Sequence, residues 1–499
     1  MSFIKNKTIW IICVLSFIAA LLYNQLNLKH LPEEQKRDHQ TVRTNDDASY
    51  LTPPLNYMET GEWKDNITGK QAYFLRPPGY GLFYMALAKL GDFSSALMLL
   101  KISQLLLFAL SVYWFYYITN TLLQHRKTAL ILATIYGISP FFIGFLFYSL
   151  TEGITPALLL LYIFLLIKAY DKTNYRQKNG YYFLAALCFS YLLIVRPALG
   201  LWGLLIPVFL IKSYWKKGIL NMILKLILFG AVAFSFMLIW QIRNYKIAGE
   251  YVGLHPIYYT DNNTMFRPTL QEFWEFNKSW GVEGHVYHSY SLPFWQAAIK
   301  GDTSIIYIDN ILNAFPDEVI TYFGKPRLIK VFRKYQRSVL FQKPYYEQHL
   351  PMPKKSNAIE QEVVDEFKQL TKECRKEFWM QYYIIAPLKV FKVMAFHSNL
   401  SLYIFQHTYR GIFLMEVLRY FFFSLHSLCF IALFFSLFFL RNSDWRQNAI
   451  TLIAFAYVFY LCYVQRGIEE RYTLPILPLL LIGLVYFVKQ RIKLLRGKP

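Results

Sequence analysis

The chain has 499 residues, of which 55% are hydrophobic and 19% aromatic. Only 17% are charged, against about 25% in an ordinary soluble protein, which sets aside a soluble enzyme. The formal net charge is +22, but the Lys and Arg residues sit beside apolar runs and no nucleic-acid recognition motif is present, so the basicity reads as membrane topology and attraction to anionic lipid, with no nucleic-acid partner.

Apolar runs near the roughly 20 residues needed to cross hydrocarbon fall at 8–24, 99–120, 129–148, 153–170, 181–196, 198–214, 219–242, 414–440, 447–465 and 473–489. About ten spans predict an all-α polytopic membrane protein. In the first, Lys5 and Lys7 precede a short apolar core with no small-x-small cleavage site after it, as expected of an uncleaved anchor. With that end inside, alternation places the basic connections Gln124–Lys127, Lys168–Lys178, Lys212–Lys217 and Arg441–Arg446, and the tail from Lys489, on the cytoplasmic side.

The outer side then holds a first loop (25–98), a turn at Ser149–Glu152, a long segment (243–410) and a last loop (466–472). Three parts follow: an N-terminal membrane module 1–242, an extracytoplasmic segment 243–410, and C-terminal membrane helices with a basic tail, 411–499. Residues 80–90 are apolar but too short to span, and are expected to lie along the outer surface. Residues 356–380 mix charge and apolar positions at helical spacing. Residues 378–400, with Phe378, Trp379, Tyr382, Tyr383, Phe391 and Phe396 and with Lys389 and Lys392 interspersed, are expected to lie flat on the membrane. Of five cysteines only Cys374 lies in a polar stretch, so no structural disulfide is expected there.

Several outer residues are candidates for chemistry. Asp46 and Asp47 follow the first span, and a carboxylate at a membrane surface can act as a general base or bind a divalent cation. Arg76, before Pro77-Pro78-Gly79-Tyr80, sits where a guanidinium can grip a lipid phosphate, although snorkelling to headgroups explains it equally well. Glu152 and Arg196 occupy tight outer turns, and an acid so close to hydrocarbon must be paired, hydrated or cation-bound. The last loop reads Arg466-Gly467-Ile468-Glu469-Glu470-Arg471-Tyr472, which is either an ion-pair cluster of its own or part of a site, and Pro475 and Pro478 then interrupt the final span beside a cavity. His285 and His288 at i, i+3 lack an accompanying acid motif and make a weak metal site. Asn66, Asn262 and Asn277 open glycosylation sequons, relevant only in a eukaryotic host. Neither a Walker-type loop nor a dinucleotide fingerprint is present.

Taken in order, Asp46-Asp47-Ala48-Ser49-Tyr50, Gly61-Glu62-Trp63 and Arg76-Pro77-Pro78-Gly79-Tyr80 resemble the start of GT-C membrane glycosyltransferases, the class of the protein O-mannosyltransferases and bacterial aminoarabinose transferases. Ile194–Pro197, Trp240–Tyr245 and Glu470–Pro475 resemble later motifs of that class; the likeness covers roughly 1–260 and 410–490 and leaves 260–400 unmatched. The resemblance implies a multi-span helical bundle with an outward-facing cavity, and a sugar donor on undecaprenyl or dolichyl phosphate. It places the family acid at Asp46, with Asp47 beside it sharing the role in an undecided way, and the second acid at Glu152. Arg76, Arg196 and Arg471 become lipid-phosphate ligands, with Tyr50, Tyr80, Glu470 and Tyr472 around them. Asp46 and Glu152 form the candidate ligand pair for a divalent cation, Mg or Mn. The expected setting is a bacterial inner membrane with the site facing the periplasm, membrane lipids around it, and a glycan, lipid or protein acceptor. The rival readings are a transporter or flippase, and an oligosaccharide ligase or polymerase. Acids at the rim rather than the midplane, and the lack of an internal repeat, favour the enzyme over a transporter.

Overall fold

The computed structural model describes residues 7–495 apart from 66–72, 74–75, 250, 252, 254–266, 281–286, 349, 351–352, 354, 443 and 467–469. The chain is almost wholly helical. Helices α1 (Lys7–His30), α2 (Ala48–Thr60), α3 (Gly79–Ala88), α4 (Phe93–Leu123), α5 (Arg126–Ile138), α6 (Pro140–Ile143), α7 (Thr155–Asp171), α8 (Tyr175–Val195), α9 (Leu205–Tyr214) and α10 (Ile219–Ala248) form the first bundle. A small hairpin, β1 (Lys36–Arg37) with β2 (Thr41–Val42), sits between α1 and α2. Helices α11 (Pro268–Asn277), α12 (His288–Lys300), α13 (Ile306–Leu312), α14 (Asp317–Phe323), α15 (Lys325–Glu347) and α16 (Ala358–Glu377) make a separate helical unit. Then come α17 (Ala386–Ala395), α18 (Phe413–Ser436), α19 (Trp445–Tyr460) and α20 (Leu477–Leu495).

Among the described residues, seven helical segments are long and apolar enough to cross a membrane, including Lys7–His30, Phe93–Leu123, Ile219–Ile247 and Phe413–Leu440. The molecule is thus an all-α polytopic membrane protein. The other three expected spans are helical too, with physical reasons for falling short. The 129–148 run breaks where Ser139 caps the turn begun by Pro140. Helix α7 has 17 residues. In α20 the second half carries Lys489, Arg491 and Lys493. The exposed faces are apolar, as lipid contact requires: Leu224, Ile227, Leu238 and Ile239 on α10, and Phe413, Leu414 and Phe421 on α18.

Two poles result. At one, Tyr170 and Phe209 pack on Trp445, Arg446 lies 3.4 Å from Asp171, and Lys489 donates to the Leu123 carbonyl at 2.7 Å. These are the basic connections that alternation placed together. The opposite pole gathers the acidic and arginine-bearing turns described below.

The outer helical unit has its own aromatic core of Phe273, Phe276, Trp280, Phe315, Phe332 and Phe367. Helix α16 starts from a capping box in which Asn357 and Glu360 bond reciprocally. The residues after α16 form a π-turn, Gln381–Ile385, running into α17. There Tyr382, Ala386 and Val390 are buried, while Trp379, Tyr383, Leu388 and Val393 are exposed. Helix α3 docks against the bundle along one side, where its Tyr80 and Tyr84 are fully buried. All five cysteines are free. Asn277 is fully buried; Asn66, Asn262 and His285 lie outside the described residues.

Candidate active site

Local sequence fixes the pole residue by residue. Thr44 opens a turn whose hydroxyl accepts the Asp47 amide at 3.1 Å, and α2 begins directly afterwards. That turn points the two adjacent acids in different directions. Asp47 is fully buried and receives a two-pronged bond from Arg37, at 2.6 and 2.7 Å, and a weaker one from the Thr44 amide. Its oxygens are committed to holding the hairpin against α2. Bidentate pairing and burial set it apart from Asp46, with which it is expected to share the reactive role. Asp46 keeps 29% of its side chain exposed and receives Arg76 at 2.6 Å on one oxygen and Arg471 at 2.8 Å on the other.

Arg76 is held from three directions. Its Nε donates to the Ser49 hydroxyl at 3.1 Å, its guanidinium lies 5.3 Å from the Tyr50 ring centroid, and Tyr50 stacks edge-on with Tyr80. Gly79, just after the two prolines, has no room for a side chain: a Cβ would lie 2.6 Å from the Val195 nitrogen. Tyr191 donates to the Gly79 carbonyl at 2.9 Å, so the Arg76 turn is pressed against the end of α8, next to Arg196. Tyr80 donates to Gln104, whose amide in turn holds the Leu146 carbonyl. Tyr80 is therefore a strut beneath the site, not a group facing it.

Glu152 lies in a buried turn, with Arg196 at 2.7 Å, the Thr151 hydroxyl at 3.1 Å and Arg471 at 3.7 Å. Arg196 is itself buried, bonded also to Thr151 at 2.9 Å and lying 4.8 Å over the Tyr472 ring. It is expected as a phosphate ligand; here it is buried, one Nη bonds Glu152 and Thr151, and its Nε and other Nη have no hydrogen-bond partner. Arg471 connects the two carboxylates. The Glu470 side chain lies outside the described residues. Below Glu152 a small cavity of about 20 Å³ is lined by Phe108, Phe142, Phe145, Leu474 and Pro478. Helix α20 starts only at Leu477, so Pro475 precedes it and Pro478 sits in its first turn, beside the expected cavity.

Burial opposes ionisation of Asp46 and Glu152. The guanidiniums more than offset it: Arg76 and Arg471 hold Asp46 below the ordinary carboxylate value, and Arg196 and Arg471 do the same for Glu152. Three arginines thus face two carboxylates, a net positive site of the kind that receives anions. A divalent ion fits this donor set poorly. To sit between Asp46 and Glu152 it would take the place of Arg471, and no group of three His, Cys, Asp or Glu residues comes together among the described residues.

Sequence reasoning passed over three supports. Arg37 neutralises Asp47, Gln104 braces Tyr80, and Arg243 donates to the Trp63 and Tyr73 carbonyls while lying 4.5 Å from the Trp240 ring, which ties the first outer loop to α10. Only Arg243 had a signal, because it lies inside the Trp240–Tyr245 motif.

No family model and no curated protein sequence matches the chain. Among solved structures it is similar to an Archaeoglobus fulgidus oligosaccharyltransferase in the apo form, at 13% identity and a TM-score of 0.48, over 100% of this chain and 52% of that one. It is also similar to ArnT from Cupriavidus metallidurans, bound to undecaprenyl phosphate and in the apo state, at 10% identity and a TM-score of 0.35, over 95% of this chain and 77% of that one. The chain spans about half the length of the oligosaccharyltransferase.

Proposed function

We propose that the chain is a GT-C type membrane glycosyltransferase that moves a sugar from a polyprenyl-phosphate carrier to an acceptor hydroxyl on the outer face, with inversion. One observation carries the reading: Asp46, from the first outer loop, is held between Arg76 and Arg471, and Arg471 is shared with Glu152. Motif segments far apart in sequence meet at a single point, in a net positive cluster beside an apolar cavity.

A carboxylate gripped by two guanidiniums is a poor base, since both neighbours stabilise its charged form. A carrier phosphate is the anion that changes this. As it enters, Arg76 and Arg471 turn from Asp46 to the phosphate oxygens, and Asp46 becomes more basic as its counter-charges leave. The acceptor oxygen then bonds to the anomeric carbon while its proton passes to Asp46. The bond from that carbon to the phosphate oxygen breaks, and its electron pair stays on the phosphate, neutralised by the arginines. Glu152 and Arg196 keep Arg471 aimed. Arg471 supplies the charge a divalent cation would otherwise supply, so no step here runs through a metal. On this reading the site faces the periplasm of a bacterial inner membrane, and residues 260–400 help choose the acceptor.

The test is mass spectrometry of carrier-linked sugars in cells that express the parent chain or Asp46→Asn. The expected result is depletion of one polyprenyl-phosphate sugar by the parent and its accumulation with Asp46→Asn. Identical lipid profiles for the two would sink the proposal.

A further inference from the structure

Two buried arginines each have a carboxylate partner. Arg196 has Glu152, and Arg267 of the outer unit has Glu360. Arg466 does not. It is only 5% exposed, its Nε donates to the nearby Tyr463 carbonyl at 3.0 Å, and its Nη1 has no hydrogen-bond partner. Its backbone is left-handed, with φ of 54°, directly after the π-turn Leu461–Gln465. A non-glycine residue in that conformation and a π-turn are both costly local features that persist where the surroundings demand them.

The surroundings are a second arginine and a shared ring. The Arg466 guanidinium lies 3.6 Å from the centroid of Tyr382, and Arg375, from the last turn of α16, lies 5.0 Å from the same centroid. Neither has a carboxylate within ion-pair reach among the described residues. Tyr383 lies beside Tyr382, and the nearest acid acting on Arg466 is Glu275, which is itself paired with Lys278 at 2.5 Å. Burial and the neighbouring Arg375 both disfavour the charge on Arg466. Arg466 is thus a buried cation with no carboxylate partner among the described residues, with a second arginine on the same ring, and it leaves an unmet demand for an anion. The same turn borders a cavity. Gln381 and Cys374, the chain neighbours of Tyr382 and Arg375, line a space of about 120 Å³ together with Trp280, Phe378, Glu318 and Lys389, but neither arginine lines it.

We infer that Arg375 and Arg466, braced on Tyr382, form a second anion site that binds a phosphate group, separate from Asp46, Arg76 and Arg471. Guanidiniums match phosphate oxygens by parallel hydrogen bonds, and a bound anion offsets the resting repulsion between the two arginines. The site joins the outer helical unit, through α16, to the loop that also carries Arg471, so it lies at the seam between acceptor-side and membrane-side halves. The phosphate can belong to a polyprenyl monophosphate, to an anionic phospholipid or to a free phosphate; all three present the same chemistry.

The test is a binding measurement on the full chain in a phosphate-free detergent, with undecaprenyl phosphate, phosphatidylglycerol and inorganic phosphate as separate probes. The variants are Arg375→Gln, which is exposed and leaves the fold intact, Arg466→Gln and Arg466→Lys. For one of the probes, Arg375→Gln and Arg466→Gln are expected to weaken binding about tenfold or more, with part of it restored in Arg466→Lys. Asp46→Asn is expected to leave that binding unchanged. The probe affected names the source of the phosphate. Equal affinity of parent and Arg375→Gln for all three probes overturns the inference. Because no transfer is measured, that failure is distinct from failure of the glycosyltransferase reading.

Discussion

Two regions of this molecule bury arginine against carboxylate, and they do it in opposite ways. In the outer helical unit, Arg267 and Glu360 are each 1% exposed and form a closed pair. Arg267 also donates to the Pro353 carbonyl, and Glu360 also accepts from Asn357 and Gln342. One cation meets one anion and every oxygen is occupied. At the membrane pole, three guanidiniums share two carboxylates, Arg471 serves both, and Asp46 stays part-exposed. A closed pair cannot exchange partners without unfolding its surroundings. A shared, charge-surplus cluster can hand an arginine to an incoming anion. Saturation therefore marks the structural pair, and surplus marks the reactive one.

The sharpest way to break this comparison is Asp46→Asn. It keeps volume and removes the proton acceptor, so transfer is expected to fall about 10²–10⁴-fold with the protein still folded. Near-parental turnover in a reconstituted assay would remove Asp46 from the chemistry. Next in size is Arg267→Ala, which strands Glu360 in the outer unit. It is expected to cost about 3–5 kcal/mol of stability there, read by hydrogen exchange across α11 and α16. Unchanged protection would show that the pair is not the clamp described.

Asp47→Asn tests whether neighbours in sequence belong to different regions in function. Losing the charge-assisted bonds from Arg37 is expected to cost about 1.5–3 kcal/mol of stability, while the turnover of the folded fraction stays parental. A turnover loss as deep as that of Asp46→Asn would put both acids back in the site.

This division was only half legible in the sequence. Apolar run length gave the bundle because lipid imposes it on every span, and basic loops gave the two poles for the same reason. The resemblance named Asp46, Arg76, Glu152, Arg196 and Arg471 as companions, and the structure brings them within hydrogen-bond or ion-pair reach of one another. What sequence lacks is direction. Asp46 and Asp47 are chemically identical and adjacent, and only the turn at Thr44 and the position of Arg37 separate them. Arg196 likewise looks like any arginine in an outer turn until burial against Glu152 is seen. Docking of α3 depended on Tyr80 and Tyr84 finding buried partners, which periodicity over so short a helix cannot encode.

A smaller effect is expected from Arg471→Ala. If the shared arginine passes from Asp46 to a carrier phosphate, its loss weakens carrier binding by about tenfold, the scale of one charge-assisted contact. Arg196→Ala instead disturbs Glu152 and is expected to act on stability. Carrier affinity measured for both separates them; equal losses of affinity would mean that Arg196 also reaches the phosphate.

The smallest effect, and the one that probes the cluster without mutation of its arginines, is the response to acid. Asp46 and Glu152 are held more acidic in the folded protein than their ordinary values of 3.8 and 4.5. As pH falls, the unfolded chain therefore takes up protons on these groups before the folded chain does. Their contribution to stability is complete above about pH 5 and is lost as pH drops through the folded values. Between pH 7 and 5 the melting temperature of the parent should hardly respond to these two groups, and below that it should fall. Asp46→Asn begins less stable and should fall less steeply, because one of the two carboxyls no longer titrates, and the difference between the two curves isolates Asp46 from every other acid in the chain. If the parent instead gains stability relative to Asp46→Asn between pH 7 and 5.5, the Asp46 carboxyl titrates above its ordinary value. It would then be a free base already in the resting protein, and the arginine hand-over proposed for the carrier phosphate would have no purpose.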